Sequence, residues 1–144
     1  LAPYTRLTTF EPATPDTERI GLWERDVVEA FIGTDPEHLT RYTEFQVAPN
    51  NMKLDLRLDL PQRDFEWSSG FETETRVDEA RKVWTGRMRI PLRSLSETAP
   101  VPGTRWRINL YRCDDANRAF LAWRPTLNKT FHVAERFGVL LFAD

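Results

Sequence analysis

The nine residues MKLDLRLDL, positions 52–60, decide the fold class. In an extended chain Leu54, Leu56, Leu58 and Leu60 share one face, and Asp55, Arg57 and Asp59 share the other. A helix would scatter the four leucines around its axis, so the period-2 pattern means a strand. Just before it, YTEFQVAP (42–49) alternates too, with Thr43, Phe45 and Val47 opposite Tyr42, Glu44 and Gln46. Between the two, Asn50-Asn51 is a dipeptide that tolerates positive φ. Residues 42–60 therefore read as a β-hairpin.

Outward from this hairpin, strand patterns recur in LWERDVVEAFI (22–32), FETETRV (71–77), VWTGRMRIPL (83–92), TRWRINLYRCD (104–114), AFLAWRP (119–125) and FGVLLFA (137–143). Pro61–Gly70 and APVPG (99–103) read as loops, and LRSLSE as a short helical turn. Eight strands without a long helix predict an all-β, antiparallel, jelly-roll-like β-sandwich. Residues 1–21 carry Pro3, Pro12 and Pro15 among threonines and acids, and read as a linker ahead of one domain at 22–144.

Composition narrows the function classes. The 144 residues hold 20 basic and 22 acidic side chains with the signs interspersed, a net charge of −2. A nucleic-acid binder would show a basic stripe instead. The basic side chains are arginine except Lys53, Lys82 and Lys129, and arginine suits carboxylates and hydroxyl-rich ligands. No apolar run approaches the roughly 20 residues that span a membrane, and the lone Cys113 precludes an intrachain disulfide.

Chemistry concentrates in 22–32. Read as a strand, it places Trp23, Arg25, Val27, Glu29 and Phe31 on one face. A glutamate in line with a tryptophan, and Asn109 in line with Arg107 and Tyr111, are combinations that suit carbohydrate. The C–H face of a pyranose packs on an indole, while Arg, Asn and Glu exchange hydrogen bonds with its hydroxyls. The plain alternative is structural: Trp23 caps the core and Glu29 pairs with Arg107 across the sheet.

The segment W23-x-x-D26-x-x-E29-x-F31 resembles one in family 9 carbohydrate-binding modules. The likeness continues in order through YTEFQVAPNN, MRIPLRSL, GTRWRINLYR, AWRPT and FHVAERFG, covering residues 22–142. The resemblance implies a β-sandwich that binds mono- or oligosaccharide without catalysis, supports polysaccharide degradation, and works in an extracellular or periplasmic setting. Carried over residue by residue, Trp23 is the stacking ring, Glu29 accepts from sugar hydroxyls and Asn109 bridges them, with Arg107 adding contacts. Asp26 is a structural partner on the other face. Where a second aromatic is expected the chain has Arg112, so Tyr111 or Trp123 would form the second wall. Family domains also carry strands before this segment, so an N-terminal fragment of the same domain is an expected partner.

Other readings rest on fewer residues. A sandwich without ligand, serving as an interaction domain, fits the Arg112 departure. A glycosidase would need paired carboxyls such as Glu29 and Glu44. Haem would need an axial ligand such as Met88. Structural calcium would use the acidic loop CDDAN (113–117). Zinc spacing is absent: His132 and Glu135 offer two ligands, and His38 is remote in sequence.

Overall fold

The computed structural model describes residues 1–144 and is a β-sandwich. Its elements are β1 (Ala2–Pro3), β2 (Val27–Gly33), β3 (Arg41–Val47), β4 (Lys53–Asp59), β5 (Gln62–Asp64), β6 (Glu72–Asp78), β7 (Val83–Arg89), α1 (Leu92–Leu95), β8 (Arg105–Asp114), β9 (Ala119–Ala122) and β10 (Gly138–Leu141). The larger sheet runs β10-β8-β2-β3-β4-β5, and the smaller runs β1-β7-β6. On its outer side β8 is shared: Arg105–Ile108 pair with β10, and Tyr111–Asp114 pair with β9. No helix is long and apolar enough to cross a membrane.

The hairpin of β3 and β4 forms as its alternation predicts, with Asn51 at φ 64 in the turn. Both faces of β4 are covered, which the alternation does not reveal. Leu54, Leu56 and Leu58 are buried on the side away from the small sheet, in a thirteen-residue cluster with Leu22, Phe31, Tyr42 and Phe137. Loops rather than a sheet close over that face. On the reverse face Ala30, Ile32 and Phe45 pack with Phe71 and Trp106, and partly buried Met88 joins them. Asp55 therefore sits fully buried on the nominally polar face, where its carboxylate accepts from the backbone N–H of Ser69 at 2.7 Å.

The sheets approach closely at Gly86. A Cβ there would lie 3.0 Å from Val47 Cγ1 and 3.3 Å from Val28 Cγ2. With no side chain between them, Trp84 and Met88 flank the contact on β7, and Trp84 is fully buried.

Three expectations change at element boundaries. Residues 22–26 are not strand: Gly21 at φ 86 leads into a 3-10 turn at Leu22–Glu24, and β2 begins at Val27. The Asp26 carboxylate accepts from the Thr8 N–H at 2.6 Å and its hydroxyl at 2.9 Å, pinning the N-terminal segment there. Residues 1–21 are accordingly built into the domain rather than linking to it. Ala2 and Pro3 pair with Trp84 and Val83, Tyr4 is buried, and Phe10 packs on the leucine-side core. Within the expected loop 61–70, Gln62–Asp64 add β5 to the edge of β4.

Candidate ligand pocket

Register brings two carboxyls to one floor. In the β2–β3 pairing Glu29 faces Gln46 and Phe31 faces Glu44, so Glu29 and Glu44 are diagonal neighbours on the leucine side of the sheet. Diagonal Cβ atoms are about 7–8 Å apart or somewhat less. Above them the loops leave a cavity of about 580 Å³. Phe31, Leu56 and Cys113 complete the floor; Trp23, Phe120 and Phe131 supply aromatic walls; Arg63, His132 and the segment Pro125–Thr130 add further lining.

The two glutamates are buried, and each titrates above the ordinary carboxylate range. Burial is the main cause for Glu29, reinforced by the charge of Glu44 and opposed by a hydrogen bond from the Cys113 thiol at 3.5 Å. Burial likewise pushes Glu44 up to about 7, against the Gln46 amide and the Arg63 charge. The amide of Gln46 donates to Glu44 Oε1, while Oε2 is buried without a partner. Cys113 is no nucleophile, because burial and Glu29 push its thiol far up.

His132 is held neutral. Burial, aided by Arg63, lowers it to about 4. Its ring stacks on Phe31 with centroids 5.2 Å apart, and its Nδ1 lies 2.7 Å from the Tyr42 hydroxyl. Burial raises the Tyr42 phenol, so it stays protonated and shares this hydrogen bond with Nδ1.

Of the residues read in the sequence as sugar contacts, Trp23 and Glu29 line this cavity. Trp23 arrives from the 3-10 turn rather than along the strand, with Phe65 tilted beside it at 6.5 Å. The others do not line it, for identifiable reasons. Asn109 is fully buried, and its amide closes a scaffold: Nδ2 donates to the Arg124 carbonyl and the Tyr111 hydroxyl, both at 2.8 Å. Its Oδ1 accepts from the Arg124 N–H at 2.9 Å, which ends β9 and anchors the segment forming one pocket wall. Tyr111 stacks on Phe131 at 4.1 Å and donates to the Phe131 carbonyl at 2.9 Å, so it stands behind that wall. Arg107 donates to the Ala134 carbonyl below the 132–137 segment and does not meet Glu29.

Arg112 and Trp123 point elsewhere. Strand alternation turns Arg112 to the opposite face, where it pairs with buried Asp114 at 2.9 Å. Trp123 is 55% exposed and lies over Gly138, whose imagined Cβ would stand 2.4 Å from the indole. The acidic loop at 113–117 is tied internally: Asp114 also accepts from the Asn117 side chain at 3.0 Å. No group of three or more His, Cys, Asp or Glu side chains is arranged to hold a metal ion.

The residues missed by sequence reading are Arg63, Phe120, Phe131 and the 125–130 segment, while His132 was weighed only as a metal ligand. Arg63 and residues 126–132 lie in stretches without a periodic pattern, and Phe120, on a strand read from its alternation, reaches the pocket only through the packing of β9. Glu44 was visible as the companion of Glu29 on the adjacent strand.

No family model matches the chain. Over 151 aligned residues it is 25% identical to an extracellular protein of Arthroderma benhamiae, covering 92% of this chain and 67% of that protein. Its fold is similar to the crystal structure of a candidate carbohydrate-binding protein from Bacteroides uniformis. The TM-score is 0.70 at 21% identity, covering 90% of this chain and 66% of the other. The chain thus spans about two thirds of the length of each. The structural likeness establishes the β-sandwich.

Proposed function

We propose that the pocket binds a mono- or oligosaccharide without transforming it. The observation that carries this reading is the meeting of aromatic walls with a polar floor in one cavity: half-buried Trp23 and Phe131 and exposed Phe120 around Glu29 and Glu44. Sugars combine apolar C–H faces with hydroxyl edges, and this pocket offers a surface to each. Its 580 Å³ lies within the range of about 300–1,000 Å³ typical of small-ligand sites. Support comes from the name of the Bacteroides uniformis structure and from the resemblance of six segments to family 9 modules. The extracellular relative supports an extracellular setting, in which such a module would help an enzyme degrade polysaccharide.

In this reading Trp23 and Phe131 stack on the sugar ring, Glu29 and Glu44 take hydrogens from it, and Arg63 and His132 donate. Asn109, Tyr111 and Arg107 hold the walls in place. Calorimetric titration with mono- and disaccharides tests it, using Trp23→Ala and Phe131→Ala. Loss of one stacking contact, about 1.5 kcal/mol, should weaken binding about tenfold. A folded protein that takes up no sugar would sink the proposal.

A second reading, glycoside hydrolysis, has the Glu29–Glu44 pair in its favour, since hydrolases place two carboxyls across the scissile bond. Incubation with nitrophenyl glycosides decides between them. Binding alone predicts no release of nitrophenol.

A further inference from the structure

We infer that the pocket selects an amino sugar, seating its primary ammonium between the carboxyl groups of Glu29 and Glu44. The sugar part of this inference rests on the carbohydrate reading above; the amine part rests on the pocket floor. That floor is rich in carboxyl oxygens without a cation, and burial favours their protonated forms, so a bound ammonium would displace those protons. Glu44 Oε2 is buried with no hydrogen-bond partner in a residue only 4% exposed. Glu29 Oε1 receives only the weak thiol donor of Cys113. Behind them, the Gln46 side-chain oxygen is also buried and unpartnered.

Cationic partners from the protein are missing at this depth. None of the eight salt bridges in the molecule includes Glu29 or Glu44. Arg63 acts on Glu44 only from the exposed strand β5, and Lys129 is exposed on the rim. His132, facing the pair across the cavity, is neutral and does not repel a cation.

Two buried carboxyls without a cation pose a specific problem to an incoming ligand. Covering them removes residual water, and a buried carboxylate is costly unless paired and hydrogen-bonded. A sugar hydroxyl brings one O–H and no charge. An ammonium brings three N–H donors and a positive charge, so one group can serve both carboxyls. The aromatic walls then receive the apolar faces of the ring that carries the amine.

The test is titration of the wild-type chain, at pH 7.5 and low salt, with glucose, galactose and mannose. Each is compared with its 2-amino form and its uncharged 2-acetamido form; cyclohexylamine serves as an amine that is not a sugar. At least one 2-amino sugar should bind ten times more tightly than both its neutral counterparts. Glu44→Gln, with its fold checked by circular dichroism, should level that ratio. Should it not fold, the wild-type ratio alone decides. Neutral sugars binding as well as their amino forms would overturn the inference and leave carbohydrate binding standing. Binding of cyclohexylamine with no sugar bound would keep the cation seat but overturn its assignment to an amino sugar, together with the carbohydrate reading. No binding by any probe would overturn both.

Discussion

Replacing Glu44 by glutamine should make the protein more stable, and only above weakly acidic pH. Glu44 is buried at 4% exposure, and burial raises its carboxyl from an ordinary 4.5 to about 7. A raised folded value means that the fold favours the protonated form. The associated stability is complete below about pH 4.5 and is lost as pH climbs through 7. At about 1.4 kcal/mol for each tenfold change in proton affinity, the loss is about 3 kcal/mol. Glu29, raised by burial and by the charge of Glu44, pulls in the same direction.

The assay is urea unfolding of wild type and Glu44→Gln at pH 5, 6, 7 and 8. At pH 5 the two should differ by about 1 kcal/mol or less. By pH 8 the variant should be the more stable by about 3 kcal/mol, visible as a higher urea midpoint with an unchanged slope. Exposed carboxyls lowered by their partners, such as Asp59 beside Arg41, give an opposite pH trend but are common to both proteins and cancel in the difference. A difference independent of pH, or a wild type that gains stability from pH 5 to 8 relative to the variant, would refute the buried-carboxyl argument.

Two further substitutions probe the scaffold. Asn109→Ala leaves the Arg124 N–H and C=O without their buried partner, and should cost about 2–3 kcal/mol in urea unfolding; a cost below 1 kcal/mol would show that this link does not hold the pocket wall. Gly86→Ala forces a methyl group to within 3.0 Å of Val47 Cγ1, at a cost of about 1–3 kcal/mol by the same measurement. An equally stable Gly86→Ala protein would mean that the two sheets can separate without penalty.

The class of fold was legible in residues 42–60, because alternation is a property of neighbouring residues and a strand needs nothing else to express it. The association of Trp23 with Glu29 was legible as well, although the route was not. Asp26 ends the strand by binding Thr8, eighteen residues upstream, and no pattern within 22–32 announces that contact. Asn109 shows the converse failure. Its residue type suits a sugar hydroxyl, but only the packed chain brings the Arg124 backbone into reach of its amide.

By itself, then, the sequence determined most of the strands, the pairing of the central hairpin and the two faces of those strands, since local sterics and side-chain periodicity act over a few residues. Tertiary structure alone decided which faces are covered and by what. It placed loops over the leucine face of β4 and buried Asp55 on the other. It also assembled a pocket from Trp23, Glu29, Glu44, Arg63, Phe131 and His132, residues up to 109 positions apart. Burial by distant segments raises the two glutamates and lowers the histidine, so the chemistry of the site exists only once the chain has closed around it.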